Sequence, residues 1–483
     1  MNKKPNVIII MADQLRADAL GEHTPNINSL RKEGVAFTRA YCASPLCVPA
    51  RGSFFTGRYP NETGSIINPW EPLDRDHGDV RKDIPNLYRM MEGEWDSWHT
   101  GKQHLYTAEG KMEKSENSKT KWINTEEHYA KFLKESGKRA PGGKAFKGIL
   151  PEMALGRVTR MKQYSVPNTG LYEEGFDYFF DGFFAKGAID AIRNRDKSRP
   201  FLLNAMFLAP HPPFDIPEPW YSMYEKANLP ENVGRWCKDQ SPLQLYNLTG
   251  ALGSRYSRED WEKVWPVYMG LVALLDHCIG MMINELKKEG IYDDTLILFT
   301  SDHGEMLGAH CLWQKMCMYE EAVRVPLFIK FPKEYNPKIR ETDLPVSHID
   351  VLPTLCDFLG IDKPEKLSGI SLLPVLEGIY PDRKAIFIQF DGNGARGNFQ
   401  RCVIQGDYKL VVDMFKDEYY IELYKVKDDT QEMENLAFDP MHGDLVEEMI
   451  ASLRNHMTDT EDMLEIPSDM YDKFLIDYRP FRK

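Results

Sequence analysis

The chain has 483 residues, of which 42% are hydrophobic and 28% are charged, so it is long enough for one large domain and a smaller one. Its net charge of −13 and isoelectric point of about 5.5 argue against nucleic acid or an anionic membrane as the main partner, because both bind basic surfaces. The sequence contains no run of about 18 apolar residues, so it predicts no membrane-spanning helix. The first apolar run, Val7–Ala12, is too short for a signal peptide and predicts a strand.

The predicted elements alternate between strands and helices over the first 380 residues. Continuous apolar runs predict strands buried on both faces of a parallel or mixed sheet: Asn6–Ala12, Phe201–Ala209, Thr295–Thr300 and Pro326–Phe331. Thr24-Pro25 predicts the start of a helix through Asn28–Lys32, and a pattern rich in Leu, Met and Ala predicts a helix over Arg258–Glu289. This alternation is typical of an α/β layered fold.

The pattern changes after about residue 380, where short strand-like runs are separated by turns. These runs are Ala385–Phe390, Gln400–Ile404, Tyr408–Asp413 and Tyr419–Tyr424, followed by a helix near Gly443–His456. We therefore predict a large domain over residues 1–380 and a C-terminal subdomain of antiparallel sheet plus helix over residues 381–483.

Four polar clusters follow predicted strands, where open α/β sheets bind their ligands. They are Asp13-Gln14, Gly101-Lys102-Gln103-His104, Pro210-His211-Pro212 and Asp302-His303-Gly304-Glu305. Taken singly, an aspartate at a strand end is more often a turn residue than a ligand, and a histidine beside proline is more often structural. Four such clusters on one rim favour a shared site.

The eight cysteines are scattered without a Cys-x-x-Cys pair, which predicts reduced and mostly buried thiols. Cys47 differs from the other seven because Cys47-Val48-Pro49-Ala50-Arg51 is continued by Thr56-Gly57. This segment resembles the signature of the type I sulfatases of the alkaline phosphatase superfamily, Cys-x-Pro-x-Arg followed by Thr-Gly. Accompanying residues stand in the family's order: Asp13, Lys102-Gln103-His104, His211, Asp302-His303, Ile349–Thr354 and Glu422–Tyr424.

The resemblance implies an alkaline-phosphatase-like fold, in which helices flank a large mixed sheet and a smaller C-terminal subdomain follows. It also implies that a maturase of the host oxidises Cys47 to formylglycine, whose aldehyde hydrates to a geminal diol. One hydroxyl would attack the sulfur of a sulfate ester, and the second would then expel sulfate as the aldehyde re-forms. An ordinary serine at this position could not release sulfate in this way.

The same resemblance places one divalent cation on Asp13, Gln14, Asp302 and His303. A hard cation would lower the pKa of the diol and neutralise charge on the sulfate. Calcium is the first expectation, with magnesium or manganese as alternatives because a histidine ligand softens the site. Many sulfatases have a second aspartate in place of Gln14 and Asn or Gln in place of His303. The Gln and His variants occur in the superfamily, including its phosphonate monoester hydrolases.

The resemblance assigns the remaining catalytic roles to basic residues. Arg51 would hold and polarise the diol, while Lys102 and Lys315 would bind sulfate oxygens and stabilise charge in the transition state. His104 would take the proton from the diol during sulfate release. His211 would protonate the leaving alcohol, and His310 is a rival for that role or a substrate contact.

The run from Asp302 through His310 to Lys315 resembles that of iduronate-2-sulfatase and of bacterial carbohydrate sulfatases. The leading hypothesis is therefore a sugar sulfate, for example the 2-O-sulfate of a uronic acid in glycosaminoglycan fragments. The candidate substrate contacts lie on a polar loop after the nucleophile segment: Asn68, Trp70, Arg75 and His77. A substrate carboxylate would need an extra cation, which Arg75 could supply.

Two other functions stay open from the sequence. Asp13-Gln14 and Asp302-His303 also permit hydrolysis of phosphonate or phosphate esters, because those hydrolases share this metal set and formylglycine. An inactive relative that binds anionic glycans is the third hypothesis, although every expected catalytic position is filled. In each case we expect a bacterial-type soluble protein of the periplasm or cytoplasm, with no membrane or nucleic-acid partner and no signal peptide in this chain.

Overall fold

The computed structural model describes residues 4–69, 75–154, 157–393 and 395–479, and its largest element is a mixed sheet of eight strands. In spatial order these strands are Glu341–Thr342, Val35–Phe37, Leu327–Lys330, Thr295–Ser301, Asn6–Asp13, Phe201–Pro210, Asp96–Gly101 and Lys121–Thr125. The five from Thr295–Ser301 onward run parallel, whereas Leu327–Lys330 is antiparallel to both of its neighbours. The predicted large mixed sheet is confirmed.

The central strands form where the apolar runs predicted them. Asn6–Asp13 is buried from Val7 onward, and Thr295–Ser301 is buried throughout, because helices cover both faces of the sheet. The strand Leu327–Lys330 starts one residue later than predicted, directly after Pro326, which has no N–H to donate to a neighbouring strand.

The longer helices of the first 380 residues are Pro25–Glu33, Cys47–Thr56, Glu126–Ser136, Phe180–Asn194, Arg258–Lys288 and Val351–Leu359. The helix predicted after Thr24 does begin at Pro25, but the Thr24 hydroxyl donates to the Gly21 carbonyl instead of capping the helix. Arg258–Lys288 is long and apolar enough to cross a bilayer, yet 83% of its most apolar window is buried inside the protein. Such burial is typical of a core helix.

The C-terminal region forms a four-stranded antiparallel sheet with a covering helix, as predicted. Its strands are Ala385–Phe390, Asn398–Gln405, Tyr408–Phe415 and Glu418–Tyr424, and its helices are Gly443–Asp459 and Met470–Tyr478. One face of this sheet packs with the helices in a small core of its own, while Ile386 and Ile388 join the main core. The division at residue 380 stays a prediction.

Several shorter elements have no counterpart in the sequence prediction. An antiparallel hairpin pairs Lys147–Ala154 with Arg157–Ser165. The remaining short strands are Ala40–Tyr41, Tyr106–Thr107, Gly110–Lys111, Thr169–Leu171, Phe214–Ile216, Arg324–Val325, Val346–Ser347 and Ala395–Arg396. The short helices are Pro60–Thr63, Arg75–Gly78, Leu87–Met91, Leu248–Ala251, Glu320–Val323 and Leu373–Leu376.

The register of the parallel strands brings the polar clusters to one edge of the sheet. Asp13 pairs with Pro210, and Ser301 pairs with the residue before Asp13. Gly101 pairs with Met206, and a Cβ at Gly101 would lie only 1.8 Å from the Met206 carbonyl oxygen. Since Gly101 also has a φ of 92°, only glycine fits here. The residues that follow these four strands therefore project from the same rim.

Candidate active site

A buried cluster of four side chains lies on this rim. One ligand atom from each of Asp13, Cys47, Asp302 and His303 falls within 4.8 Å of the others, and none of these residues is more than 3% exposed. Cys47 Sγ lies 3.2 Å from His303 Nε2. His303 Nδ1 lies 2.9 Å from the Gly304 carbonyl oxygen, which fixes the ring so that Nε2 faces the thiol.

Gln14 reaches the same cluster through an unusual backbone conformation. Its φ of 68° lies in the left-handed region, which costs a non-glycine residue free energy unless other contacts hold it. Two contacts do so: Gln14 N donates to Asp302 Oδ1 at 3.1 Å, and the Tyr268 hydroxyl donates to the Gln14 carbonyl oxygen at 3.1 Å. In the side chain, Oε1 accepts from Lys315 Nζ at 2.6 Å.

Two buried cations offset the negative charges of Asp13 and Asp302. Arg51 donates through Nε to Asp302 Oδ2 at 3.1 Å and through Nη2 to Asp13 Oδ2 at 3.3 Å, and Lys102 Nζ also contacts Asp13 Oδ2. Burial alone would raise the pKa of Asp13, but the charges of Lys102 and Arg51 hold it well below its ordinary value. The carboxylate is therefore ionised at neutral pH.

The second oxygen of Asp13 is the feature that points to a cation. Asp13 Oδ1 is buried and has no hydrogen-bond partner among the described residues. An ionised carboxylate oxygen without a partner is costly in a protein interior. Together with Asp302, Gln14 and His303, it supplies the donor set that divalent cations prefer, so these residues fit the expected metal.

The helix Cys47–Thr56 positions the nucleophile and its arginine. Cys47 is the first helical residue, where backbone N–H groups favour negative charge, and Arg51 lies one turn later on the same face. The preceding Leu46 provides no side-chain cap, but Asn68 Oδ1 accepts from Val48 N at 3.1 Å and satisfies one of the free N–H groups.

The electrostatic surroundings favour an anion at position 47. Burial and Asp13 raise the pKa of the Cys47 thiol, but the positive charges of Lys315, Lys102 and His303 outweigh them and lower it overall. Any acidic group at this position, thiol or hydroxyl, experiences the same field.

Both candidate proton-transfer histidines lie beside this cluster. His211 is half-buried at the end of Phe201–Pro210, and its Nδ1 lies 2.5 Å from the Pro212 carbonyl oxygen. His104 is buried, with Nε2 3.6 Å from Glu126 Oε2. Burial is the main cause that lowers the pKa of both rings well below the ordinary value. Lys102 and Arg51 add to it at His104, and Lys315 and Lys102 add to it at His211, where Asp13 opposes them. Both are neutral at pH 7.

The geometry agrees with what family comparison shows. The sulfatase family model matches residues 5–361, which is more than half of the chain. The chain belongs to the sulfatase family. A second model, described as N-sulphoglucosamine sulphohydrolase, C-terminal, matches residues 308–459 of this sulfatase and includes its four-stranded sheet.

Individual proteins resemble this sulfatase over nearly its whole length. The uncharacterized sulfatase YidJ of Escherichia coli is 29% identical, covering 100% of this chain and 91% of its own. The N-acetylglucosamine-6-O-sulfatase of Bacteroides thetaiotaomicron is 26% identical, covering 90% and 83%. The solved phosphonate monoester hydrolase of Agrobacterium radiobacter has a TM-score of 0.73 at 25% identity, covering 94% and 96%. The protein is thus a sulfuric ester hydrolase of the alkaline phosphatase-like superfamily.

The sulfatase does not bring every predicted substrate contact to the cluster. Arg75 and His77 are exposed, and Arg75 is paired with Asp79 Oδ2 at 2.6 Å. Asn68 is buried and holds the start of the nucleophile helix, a role that the sequence prediction did not include. Trp70 lies outside the described residues.

His310 is turned away from the cluster. It is fully buried, its Nδ1 lies 3.3 Å from Gln240 Oε1, and its Nε2 lies 3.1 Å from the Gln431 carbonyl oxygen. Its ring stacks on Tyr319 with centroids 3.8 Å apart. Since both ring nitrogens are engaged elsewhere, these contacts do not support the predicted role of His310 as a rival acid or substrate contact.

Glu305 is a residue of the site to which sequence reasoning gave no role. It is fully buried, and Gln14 Nε2 donates to its Oε2. Its position directly after Asp302-His303-Gly304 is the only signal in the sequence. A glutamate there could equally be an exposed turn residue, so its contact with Gln14 became visible only in the folded chain.

Proposed function

We propose that this sulfatase hydrolyses sulfate esters of carbohydrates with a formylglycine made from Cys47 and one divalent cation. The convergence of Cys47, Asp13, Asp302 and His303 within 4.8 Å carries this proposal, together with Asp13 Oδ1, which is buried and has no hydrogen-bond partner in the described part of the chain. Membership of the sulfatase family supports the reaction class. The relative named N-acetylglucosamine-6-O-sulfatase supports a sugar as the alcohol part of the ester.

The cation would be held by Asp13, Gln14, Asp302 and His303. When bound, it would supply Lewis acidity that lowers the pKa of a hydroxyl at position 47 and offsets sulfate charge. The three oxygen donors favour calcium, while the nitrogen donor of His303 leaves magnesium or manganese as the alternatives.

The basic residues hold the nucleophile and bind the sulfate group. Arg51, one helical turn after position 47, holds the nucleophile side chain against the two carboxylates that it already contacts. Lys102 and Lys315 bind sulfate oxygens, where their charges stabilise the transition state more than the ground state. Both lysines are buried, so water weakens this interaction little.

The two histidines transfer protons in opposite directions. His104 is neutral in the free protein and is therefore ready to accept a proton from the hydroxyl at position 47. His211 must carry a proton to donate to the leaving alcohol. An incoming sulfate ester raises the pKa of His211, because a nearby negative charge favours the imidazolium form. Substrate binding itself thus favours the protonated form of His211, the proposed general acid.

For the substrate we favour a sugar sulfate that carries a carboxylate, such as the 2-O-sulfate of a uronic acid in glycosaminoglycan fragments. Arg75 would bind that carboxylate in exchange for Asp79, its present partner. The Arg75 side chain is 46% exposed and could turn toward the substrate, whereas the Asp79 side chain is 14% exposed. Release of sulfate from aryl or choline sulfate but not from any sulfated disaccharide would exclude this substrate class.

Mass spectrometry of the tryptic peptide Ala40–Arg51, from protein made in its native host, tests the nucleophile. We expect the mass of an aldehyde in place of the Cys47 thiol, and we expect the Cys47→Ala variant to release no sulfate. An unmodified thiol in protein that still binds sulfated glycans without turnover would reject the mechanism and favour a glycan-binding relative.

Phosphonate ester hydrolysis is the second candidate, favoured by Gln14 and His303 and by the phosphonate monoester hydrolase of Agrobacterium radiobacter. The same cluster could act on phosphorus, because both reactions transfer charge to oxygens around a tetrahedral centre. Comparison of kcat/KM on sulfate and phosphonate esters with one leaving group separates the two. A larger value for the phosphonate would reassign the reaction.

A further inference from the structure

Gln14 is the one oxygen ligand of the proposed metal site that can bind in a wrong orientation. Its side chain ends in an amide, of which only the oxygen can coordinate a cation, while the nitrogen would repel it. Carboxylate ligands such as Asp13 and Asp302 present oxygen whichever way they turn. The amide orientation of Gln14 must therefore be set by its neighbours.

Two neighbours set it from opposite sides. Lys315 Nζ, which can only donate, lies 2.6 Å from Gln14 Oε1. The Glu305 carboxylate accepts from Gln14 Nε2 on the other side. Lys315 is among the strongest positive influences on the Cys47 thiol, so the oxygen end of the amide is the end directed toward the cluster.

Glu305 itself is held rigidly. Its other carboxylate oxygen, Oε1, accepts from Leu307 N at 3.0 Å. Its backbone N–H donates to the Glu321 carbonyl oxygen at 2.8 Å, and its own carbonyl accepts from Arg16 Nη1 at 3.1 Å. Each carboxylate oxygen thus has a distinct partner, one in the backbone and one in the amide of Gln14.

We infer that Glu305 is a positioning residue of the cation site, which holds the Gln14 amide with its oxygen toward the metal. This inference rests on the proposed function, because it requires a cation on Asp13, Gln14, Asp302 and His303. Glu305 does not touch the substrate or the cation. Its effect is to keep the amide oxygen of Gln14, and not the nitrogen, directed toward the cation.

Three variants test whether the hydrogen bond from Gln14 to Glu305 orients the amide. In Glu305→Gln, the new amide has one oxygen for two donors, Leu307 N and Gln14 Nε2, so one of them loses its acceptor. In Gln14→Glu, two buried carboxylates face each other. In the double variant Gln14→Glu/Glu305→Gln, the amide at 305 donates to the carboxylate at 14 and accepts from Leu307 N, so every hydrogen bond is restored.

The measurement is titration of calcium or manganese chloride into metal-stripped protein by calorimetry, with thermal unfolding of the stripped protein as a check on folding. Contacts behind a metal ligand contribute roughly 10–100-fold to affinity, so we expect Glu305→Gln to raise the Kd by that factor. A carboxylate at position 14 presents oxygen in either orientation, so Gln14→Glu should bind the cation whether residue 305 is glutamate or glutamine. The double variant should regain most of the wild-type affinity. Glu92→Gln is the matched control, because this buried carboxylate accepts from Lys119 N and Thr120 N, away from the cluster.

The outcomes separate this inference from the proposed function. One ion bound to the wild type, with the same Kd in Glu305→Gln, would overturn the role of Glu305 and leave the metal site intact. Low affinity in the double variant as well as in Glu305→Gln would also overturn it, since a carboxylate at position 14 needs no orienting partner. Absence of any bound ion in the wild type would remove the metal site and the inference together.

Discussion

Asp13 is the residue on which the charge balance of the site depends. Its carboxylate and that of Asp302 face two cations, Arg51 and Lys102, while Lys315 contacts the neighbouring Gln14. All of these side chains are buried, so water screens the charges little. Loss of one carboxylate therefore changes both metal binding and stability.

We expect Asp13→Asn to lower kcat/KM for sulfate release by at least about 100-fold, since contacts behind a metal ligand alone contribute roughly 10–100-fold. The bound cation, counted by elemental analysis, should fall from one per chain to near zero. Asp96→Asn removes a carboxylate that is equally buried but contacts Lys121 and Trp98 instead of the cluster. That variant should keep its metal, and an Asp13→Asn protein that also keeps it would contradict the assignment.

At the scale of elements, the helix Cys47–Thr56 needs Asn68 to begin correctly. The helix has no cap of its own, and Asn68 comes from a loop 20 residues later to accept from Val48 N. Because Cys47 is the first helical residue, fraying of this end moves the nucleophile directly.

We predict that Asn68→Ala lowers the free energy of unfolding by about 1 kcal/mol, the usual effect of a lost helix cap, and lowers kcat as well. Asn86→Ala is a matched control, because Asn86 caps Leu87–Met91 by accepting from Arg89 N at 3.3 Å. The control should lose similar stability with unchanged kcat. Equal kcat values in the two variants would show that Asn68 does not position Cys47.

For the whole molecule, one buried lysine connects the C-terminal sheet to the main domain. Lys409 Nζ, fully buried on Tyr408–Phe415, lies 3.0 Å from Glu320 Oε1 and 2.6 Å from Glu432 Oε1. Glu320 belongs to a short helix of the main domain. The positive charge of the lysine thus stabilises both carboxyl groups, although burial still raises the pKa of Glu432 well above its ordinary value.

Lys409→Met should lower the free energy of unfolding by about 3–5 kcal/mol, because the buried Glu432 loses its lysine, whereas Glu320 keeps its pair with Arg324. Lys427→Met removes a second lysine that joins the same two regions, through an exposed pair with Asp343 at 3.2 Å, and should cost less than about 1 kcal/mol. Urea unfolding of both variants measures the difference. Equal effects would mean that Lys409 is not essential at this junction.

Stability of the whole fold should also fall in acid because of buried histidines. Burial lowers the pKa of His99, His310 and His348 to about 3 and that of His456 to about 4. In the unfolded chain these rings titrate near pH 6.5. Between those values the unfolded state binds more protons than the folded state, so the free energy of unfolding decreases as the pH falls from about 6.5 toward 4.

Each such histidine contributes a slope of about 1.4 kcal/mol per pH unit over this range. We expect His456→Phe, which keeps the stacking on Phe387, to reduce the slope by about that amount. Urea unfolding at a series of pH values measures it. An unchanged slope would show that His456 is protonated in the folded state.

The sequence by itself determined the family, the main strands and the rim on which the site lies. Apolar runs such as Asn6–Ala12 define buried strands locally, and parallel strands must present their carboxyl ends at one edge. The motif from Cys47 to Arg51 needs only helical spacing to place both side chains on one face. These inferences succeed because each depends on residues that are close together in the sequence.

Only the tertiary structure decided which atoms meet across the rim. Asn68 supports the nucleophile helix, His310 packs against Tyr319, and Glu305 orients the amide of Gln14. Gln14 and Glu305 are separated by 291 positions in the chain. Contacts over such separations are set by strand register and side-chain packing, which depend on the whole fold and leave no local pattern in the sequence.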